Sequence, residues 1–343
     1  MNKIFTLFLL LSLQTLFAQQ PYYDDVNLSL TGQDLYFALQ QKIENASTSF
    51  NYGDTRDSMK ITDEDPENNN NVLLLYGYDN SGSCTTDRSR DKDDFGGSSC
   101  QYNREHTFAR SNANPSMGNV DNGTTGIGAD PHNIRPTDQQ MNNNRGSKKF
   151  ADGSGNAGGY WYPGDEWKGD VARIMMYMYT RYGDRCKPSL NGNGALQGST
   201  EMLQVYLQWN AEDPVTDFED QRNPYLENFY GNRNPFIDNP YLATLIWGGP
   251  AAEDRWGLIG TEEFIAENIS VYPNPTSEII WVEDNTSFSV NNYSIYDISG
   301  RRILFNTFNA SEKKVDVSNL NSGVYLLELV SSERKITKKI VVQ

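Results

Sequence analysis

The chain has 343 residues, and its 45 acidic and 29 basic side chains give a formal net charge of −16 at pH 7. This length predicts two domains. Such an acidic chain does not attract nucleic acid through its overall field, so phosphate chemistry would require basic residues concentrated at one site, with bound divalent cations adding to them. Adaptation to a salty medium is an equally good reason for the charge.

The first 18 residues have the pattern of a secretory signal peptide. Lys3 precedes an apolar run over residues 4–13, and the small residue Ala18 marks the expected cleavage site. The run is too short to span a bilayer, and no later stretch approaches the length of a transmembrane helix. We therefore expect an exported protein without stable insertion in a membrane.

The three cysteines fit an oxidising compartment. Cys84 and Cys100 lie in one polar loop and are the candidates for a disulfide, which would leave Cys186 as the odd thiol. No Cys-x-x-Cys motif occurs, so the spacing does not indicate a zinc site.

In chain order, the first predicted elements are a helix over residues 32–44 and a buried strand over residues 72–76. The apolar positions of the helix recur at spacing four, at Leu35, Leu39 and Ile43. The strand is predicted from a short continuous apolar run. Between the two, the acidic residues 63–67 offer calcium ligands, although a solvated loop is the ordinary structure for such a composition.

The polar segment 103–145 contains both histidines of the chain. We place Glu105 and His106 at the end of a strand, which is followed by a loop rich in glycine and asparagine. Residues 138–145 then favour a short helix that carries Asn142. Carboxylate, imidazole, amide and guanidinium groups recur here, and together they supply what metal-assisted phosphodiester cleavage needs: a base for water, hard oxygen ligands and a cation for phosphate.

The remaining elements divide into a helical part and a β part. Helices are predicted over residues 169–182 and about 200–210, with a third beginning near residue 213. These complete an α+β domain over residues 19–250, which a linker over residues 251–268 follows. The acidic excess belongs to the first domain, because residues 270–343 carry eight acidic and eight basic side chains.

Residues 269–343 show short β-type runs separated by Asn-Pro, Ser-Gly and Asn-Ser-Gly turns. The predicted strands cover residues 279–282, 293–297, 302–305, 324–330 and 336–342. This alternation predicts a small antiparallel β-sandwich.

Four motifs in this last segment closely resemble the type A sorting domain of type IX secretion. They are ISVYPNP at 269–275, YDISGR at 296–301, LNSGVY at 320–325 and KKIVV at 338–342. The resemblance implies contact with a secretion machinery and passage across the outer membrane of a Gram-negative bacterium. The protein would then be secreted or attached to the cell surface.

Five motifs of the first domain resemble the bacterial endonuclease I family, whose nucleases have a ββα-metal core. They are EHTF at 105–108, DxHNIxP at 130–136, NxxRG at 142–146, GDVAR at 169–173 and GNRNPFID at 231–238. The Glu-His pair with the downstream Asn-x-x-Arg is the specific part. The resemblance implies a secreted nuclease that cleaves DNA without sequence preference, with RNA as a further candidate substrate.

Carried over to this sequence, the resemblance implies that Glu105 and Asn142 bind Mg²⁺, with Ca²⁺ or Mn²⁺ as other candidate ions, and that His106 is the general base. One carboxylate and one amide suit Mg²⁺, which keeps most of its waters, and a neutral imidazole suits proton transfer near neutral pH. Asn143 or Asn144 would replace Asn142 if the helix were shifted.

The phosphate-binding arginine is left open. Arg110 is the candidate by position, and Arg145 and Arg135 are the others, with Arg145 grouped with Arg110 among the catalytic residues. His132 and Asn133 are expected to have a supporting role, His132 by orienting the Glu105-His106 strand or its metal-bound waters. A direct phosphate or catalytic role and plain core packing are the alternatives for His132. Adjacent strand residues point to opposite faces, so Glu105 and His106 can share one site only if the strand is kinked or ends there.

Two other classes of function compete with the nuclease hypothesis. An extracellular calcium-dependent binding or adhesion protein would account for the acidic, aromatic-rich composition without catalysis. A metal-dependent phosphatase would share the cation chemistry, but it would usually need a second metal site, for which two histidines leave few ligands.

Overall fold

The structure is a computed structural model that describes residues 20–153, 159–258, 269–284, 290–331 and 335–343. The predicted signal peptide and residues 259–268 of the predicted linker lie outside these residues. Within the described ranges, no helix is long and apolar enough to cross a membrane.

Ten α-helices occur in the described part of the chain, all of them before residue 250. They are α1 (Gly32–Glu44), α2 (Tyr52–Thr62), α3 (Gln139–Arg145), α4 (Lys168–Tyr182), α5 (Pro188–Asn191), α6 (Gln204–Glu212), α7 (Asp217–Asp220), α8 (Arg222–Phe229), α9 (Pro235–Asp238) and α10 (Tyr241–Trp247). Helix α4 is the centre of this region, because most of its side chains are buried and it packs against α1, α6 and α9. The predicted helices 32–44 and 169–182 are thereby confirmed.

Twelve strands occur among the described residues, and they form four sheets. They are β1 (Glu64–Asp65), β2 (Asn68–Leu73), β3 (Ser89–Asp91), β4 (Tyr102–His106), β5 (Ile134–Asp138), β6 (Ile269–Tyr272), β7 (Ile279–Asp284), β8 (Asn292–Asp297), β9 (Arg302–Thr307), β10 (Lys314–Asp316), β11 (Gly323–Val330) and β12 (Lys335–Val342). In the first region, β1, β2 and β3 form one small antiparallel sheet, and β4 pairs with β5 in another.

The C-terminal strands form the antiparallel sandwich that the turn pattern predicts. One sheet has the order β10-β7-β6 and the other the order β12-β11-β8-β9. The two sheets share one apolar core, to which Ile280, Ile295, Leu327 and Ile340 contribute fully buried side chains. This core matches the alternating pattern of the sequence, since buried residues alternate with more exposed ones along strands such as β7 and β11. The fold class, α+β followed by a small β-sandwich, is confirmed.

Two predictions for residues 63–76 are wrong in part. The strand predicted over residues 72–76 ends at Leu73, because the chain turns away from the sheet and Tyr76 adopts a left-handed backbone with φ of 73°. Asp63 does not lie in a solvated or calcium-binding loop: it is fully buried and pairs with the guanidinium groups of Arg135 and Arg222. A buried carboxylate is tolerated here because two cations offset its desolvation.

The cysteines are arranged as their positions in the sequence suggest. Cys84 and Cys100 form a disulfide with their Cα atoms 5.3 Å apart, and Cys186 is a buried free thiol. The disulfide closes the long loop that leads into β4.

Candidate active site

Strands β4 and β5 and helix α3 form a ββα unit that holds both predicted site motifs. Glu105 pairs with Arg135 and His106 with Ile134 across the antiparallel ladder. Helix α3 follows β5 directly, because the side chain of Asp138 accepts hydrogen bonds from the backbone of Gln140 and Met141 at 2.8 and 3.0 Å. An Asp in this position satisfies the free N–H groups at a helix start.

The return of α3 along β4 brings Asn142 beside the strand. Its Nδ2 donates to Asn103 Oδ1 at 2.7 Å and is 3.4 Å from the backbone oxygen of Arg104. The amide oxygen of Asn142 accepts no hydrogen bond from the described residues, and it remains available as a ligand.

A cavity of about 460 Å³ opens over this unit, and Glu105, His106 and Asn142 line it together. The alternation of side chains along a strand would send Glu105 and His106 to opposite faces. Both nevertheless reach the same cavity, because β4 ends at His106 and the chain leaves the sheet there. The predicted strand end is confirmed.

The carboxylate of Glu105 is held from one side. The side chain is 3% exposed, and Oε1 accepts hydrogen bonds from the Tyr76 hydroxyl at 3.1 Å and pairs with Arg145 Nη1 at 3.0 Å. Burial raises the pKa of Glu105 to about 6, although Arg145 and Tyr76 act in the opposite direction. Oε2 has no hydrogen-bond partner in the described part of the chain, so this oxygen is the one available to a cation.

The imidazole of His106 is fixed in orientation and in tautomer. Its Nε2 lies 2.9 Å from the backbone oxygen of Gly128, which can only accept, so Nε2 carries the hydrogen and Nδ1 is the basic nitrogen. The ring stacks on Tyr52 with centroids 5.4 Å apart. Burial, with Arg110 and Arg104 as further contributors, lowers the pKa of His106 to about 4, so the imidazole is neutral at pH 7.

Buried polar groups hold the chain just after His106. Arg145 donates to the backbone oxygens of His106 and Thr107 at 3.0 and 2.7 Å. Asn133 bonds both the N–H and the backbone oxygen of Phe108, at 2.6 and 3.1 Å, and Asn191 donates to the Thr107 oxygen at 2.9 Å. These bonds satisfy the backbone N–H and C=O groups just beyond the point where the pairing of β4 with β5 ends. They thereby fix the end of β4, on which His106 lies.

Arg104 and Arg110 also line the cavity, and neither pairs with a carboxylate among the described residues. The Arg104 guanidinium lies 3.5 Å from the centroid of the Tyr52 ring and bonds the Tyr52 backbone oxygen. Arg110 Nη1 donates to the backbone oxygen of Gly118 at 2.5 Å. Both guanidinium groups are therefore held by neutral partners. No carboxylate among the described residues neutralises their positive charges.

Three of the eight predicted site residues do not line the cavity. His132 is 1% exposed, lies against the Tyr177 ring with centroids 4.5 Å apart, and has Nε2 within 3.1 Å of Asn232 Oδ1. Arg135 is also 1% exposed and pairs with Asp63 and Asp170 at 2.5 and 2.9 Å, so its charge is already neutralised. Asn133 is the third, and it acts on the backbone of Phe108 as described.

The burial of His132 predicts a pH-dependent stability. Burial lowers its pKa to about 3, whereas an unfolded histidine titrates near 6.5. Above pH 6.5 neither state binds the proton, and as the pH falls from 6.5 towards 3 only the unfolded chain gains it, so stability is lost. We expect the free energy of unfolding, measured in urea, to fall between pH 7 and pH 5 by about 2 kcal/mol less in His132→Gln than in the wild type. Equal losses would contradict this account.

The sequence did not reveal Tyr52 and Tyr76 as site residues. Tyr52 begins α2, a helix that the sequence analysis missed, and it stacks on His106. Tyr76 lay in the wrongly predicted strand, and its hydroxyl bonds Glu105. The only signal near Tyr52 was Asn51, whose side chain forms a capping box with Asp54 and thus marks a helix start.

The oxygen ligands at this cavity suit a single hard cation. Within the described residues, no three His, Cys, Asp or Glu side chains converge as a metal cluster. Glu105 Oε2 and Asn142 Oδ1 are nevertheless two oxygen donors at one cavity without hydrogen-bond partners in the described chain. A hard divalent ion that keeps most of its waters needs no more protein ligands than these two.

A strand pair followed by a helix, with Glu-His at the strand end and Asn on the helix, defines the ββα-metal class of nucleases. The family model described as Endonuclease I matches residues 31–241, and the model described as Secretion system C-terminal sorting domain matches residues 270–343. The chain therefore belongs to the endonuclease I family of metal-dependent nucleases and carries a secretion sorting domain.

Two curated relatives agree with this assignment. The extracellular ribonuclease of Bacillus subtilis (strain 168) is 39% identical over 245 residues, which cover 66% of this chain and 78% of the relative. The extracellular ribonuclease of Bacillus amyloliquefaciens is 39% identical over 246 residues, with the same coverage. The protein is a secreted nuclease, and the prediction of an enzyme is confirmed over that of a non-catalytic binding protein.

Proposed function

We propose that the protein hydrolyses both RNA and DNA without sequence preference, with one Mg²⁺ held by Glu105 and Asn142 and with His106 as the general base. We propose RNA as a substrate because the two relatives are extracellular ribonucleases. The DNA substrate follows from water as the nucleophile, because such a reaction does not require a 2′-hydroxyl. Contacts to the phosphate backbone carry no sequence information, and this supports cleavage without sequence preference.

The observation that carries this proposal is the distribution of uncompensated positive charge. Among the described residues up to 258, every arginine forms an ion pair except Arg104, Arg110 and Arg185. Arg104 and Arg110 line the cavity, and Arg185 donates to the backbone of Pro115 and Ser116 in the loop that forms its wall. An acidic protein that leaves positive charge free at one cavity is suited to bind an anion there.

The residues divide the reaction among them. Nδ1 of neutral His106 takes the proton of the attacking water, while Arg110 and Arg104 bind the phosphate oxygens. Glu105 and Asn142 would hold a divalent ion, which would supply positive charge to stabilise the leaving 3′-oxygen. Arg145 is a positioning residue in this proposal, because its side chain is 1% exposed and holds Glu105 and two backbone oxygens.

The test is digestion of supercoiled plasmid and of single-stranded RNA by the purified secreted protein. We expect both to be cleaved with Mg²⁺, with cleavage stopped by EDTA and restored by excess Mg²⁺. Mn²⁺ and Ca²⁺ are assayed in parallel to identify the ion. Because water is the nucleophile, RNA products should carry no 2′,3′-cyclic phosphate. Activity that persists in EDTA, or cyclic phosphate ends on the RNA, would contradict the proposal.

Replacing Arg104 or Arg110 with Gln should lower kcat/KM by roughly 10-fold each, because each change removes one charged phosphate contact. The plot of log kcat/KM against log salt should become less steep by roughly one unit per lost contact. Arg56→Gln is the matched control, because it removes the same charge from an exposed pair with Asp57. If the cavity variants behave like Arg56→Gln, these arginines do not bind phosphate.

The predicted domain boundaries stay proposals. We propose a nuclease domain over residues 19–250, a linker over 251–268 and a sorting domain over 269–343 that engages a type IX secretion machinery. Mass spectrometry of the secreted protein would locate its N-terminus and show whether the sorting domain is still attached.

A further inference from the structure

The turn that contains Tyr76 is built to place one hydroxyl. Leu75 N donates to Pro136 O at 2.8 Å, which ties the turn to β5, and Gly77 N donates to Leu74 O at 2.9 Å, which closes it. Tyr76 itself has a φ of 73°, a backbone region that side chains with a Cβ rarely adopt. Backbone strain of this kind persists only where surrounding contacts enforce it.

Those surrounding contacts are visible on both sides of Tyr76. The next residue must be glycine, since a Cβ on Gly77 would collide with the backbone oxygen of Asp87 and lie 2.7 Å from Arg88 Cα. The Gly77 backbone oxygen also accepts a hydrogen bond from Trp167 Nε1 at 2.8 Å. The Tyr76 ring packs against Trp161, with centroids 5.5 Å apart. The hydroxyl position is thus fixed by backbone and ring together.

The hydroxyl meets the carboxylate that faces the cavity. Tyr76 and Glu105 are both 3% exposed, and the hydroxyl donates to Glu105 Oε1 at 3.1 Å. Arg145 pairs with the same oxygen at 3.0 Å. Two donors on Oε1 determine the rotation of the carboxylate and leave Oε2 without a partner among the described residues.

We propose that Tyr76 is a positioning residue of the nuclease reaction, whose hydroxyl orients Glu105 so that Oε2 is directed to the divalent ion. This inference rests on the proposed function, in which Glu105 is a metal ligand. Partners that orient a ligand commonly contribute 10–100-fold to metal affinity. Tyr76 does not touch substrate, and it acts only through Glu105.

The experiment compares Tyr76→Phe with the wild-type protein. The variant keeps the ring and the backbone and removes only the hydroxyl. We expect the Kd for Mn²⁺, measured by titration calorimetry, to rise about 10-fold. The Mg²⁺ concentration for half-maximal cleavage should rise by the same factor, while the rate at saturating Mg²⁺ stays close to that of the wild type.

Tyr36→Phe is the matched control. Its hydroxyl is also largely buried and donates to the Tyr179 backbone oxygen at 2.9 Å, but Tyr36 lies on α1 and does not line the cavity. Tyr36→Phe should lower the melting temperature by about as much as Tyr76→Phe does. It should leave the Kd for Mn²⁺ and the Mg²⁺ concentration for half-maximal cleavage unchanged. An unchanged Kd for Mn²⁺ in Tyr76→Phe would overturn the inference. Failure of the proposed function would appear instead in the wild type, as absent metal binding or absent cleavage.

Discussion

Replacing His106 with alanine is expected to lower the rate of DNA and RNA cleavage by a factor of roughly 10²–10⁴ while the fold and the metal affinity are retained. The loss is large because the imidazole is fixed by three features at once. Nε2 is bonded to Gly128, the ring stacks on Tyr52, and burial keeps the group neutral so that Nδ1 can accept a proton. Initial rates at saturating Mg²⁺ measure the effect.

The chain provides its own control for this prediction. His132 is the only other histidine of the sequence, it is also buried, and it does not line the cavity. His132→Gln should reduce stability at neutral pH because it disturbs a packed core, but the folded variant should cleave at close to the wild-type rate. A fully active His106→Ala protein, or an inactive but folded His132→Gln protein, would reverse the assignment of the base.

Replacing Glu105 with glutamine should remove both metal binding and activity. The change keeps the size of the side chain but removes the charge of the proposed ligand. Loss of a residue that only orients a ligand lowers metal affinity by up to about 100-fold, so we expect loss of the ligand's charge to lower Mn²⁺ affinity by more than that. Cleavage should fall in parallel and should not be restored by raising Mg²⁺ within the accessible range. Calorimetry and plasmid nicking measure the two effects.

The control for Glu105→Gln is Glu219→Gln. Glu219 is a buried carboxylate that pairs with Arg173, and it does not line the cavity. Each variant breaks a buried ion pair, which typically costs about 3–5 kcal/mol of stability. Only Glu105→Gln should also lose the metal. Retained Mg²⁺ dependence at wild-type concentrations in that variant would point to a different ligand set.

The sequence was informative where the site is made by short-range structure. The Glu105-His106 pair and the Asn142 helix lie within one segment of about 40 residues, so the strand end and the short helix were predictable from local pattern, while the resemblance of these motifs to the endonuclease I family implied the ββα arrangement. The helices of the core and the strands of the C-terminal sandwich were also accessible, because their apolar periodicity is a local property.

The sequence was uninformative where a side chain's surroundings come from distant parts of the chain. Arg135 was one of the candidate phosphate ligands, but Asp63 and Asp170, which lie 72 and 35 residues away in the chain, neutralise it in the core. The strand predicted over residues 72–76 failed for a similar reason, since contacts to Pro136 and Trp167 draw the chain into a strained turn. No local pattern records such contacts.

The net charge illustrates the same limit. A charge of −16 argued against a nucleic-acid enzyme, and only the structure shows that Arg104 and Arg110 keep their charges free at one cavity. Composition reports the sum of the charges, whereas binding depends on where the uncompensated ones lie.

The most direct test of the account is a crystal structure of the His106→Ala protein grown with Mn²⁺, with anomalous diffraction recorded to locate the ion. The account predicts one anomalous peak in the cavity, with Glu105 Oε2 and Asn142 Oδ1 at coordination distance. Absence of a peak there at saturating Mn²⁺, or a peak held by other side chains, would contradict the proposed metal centre.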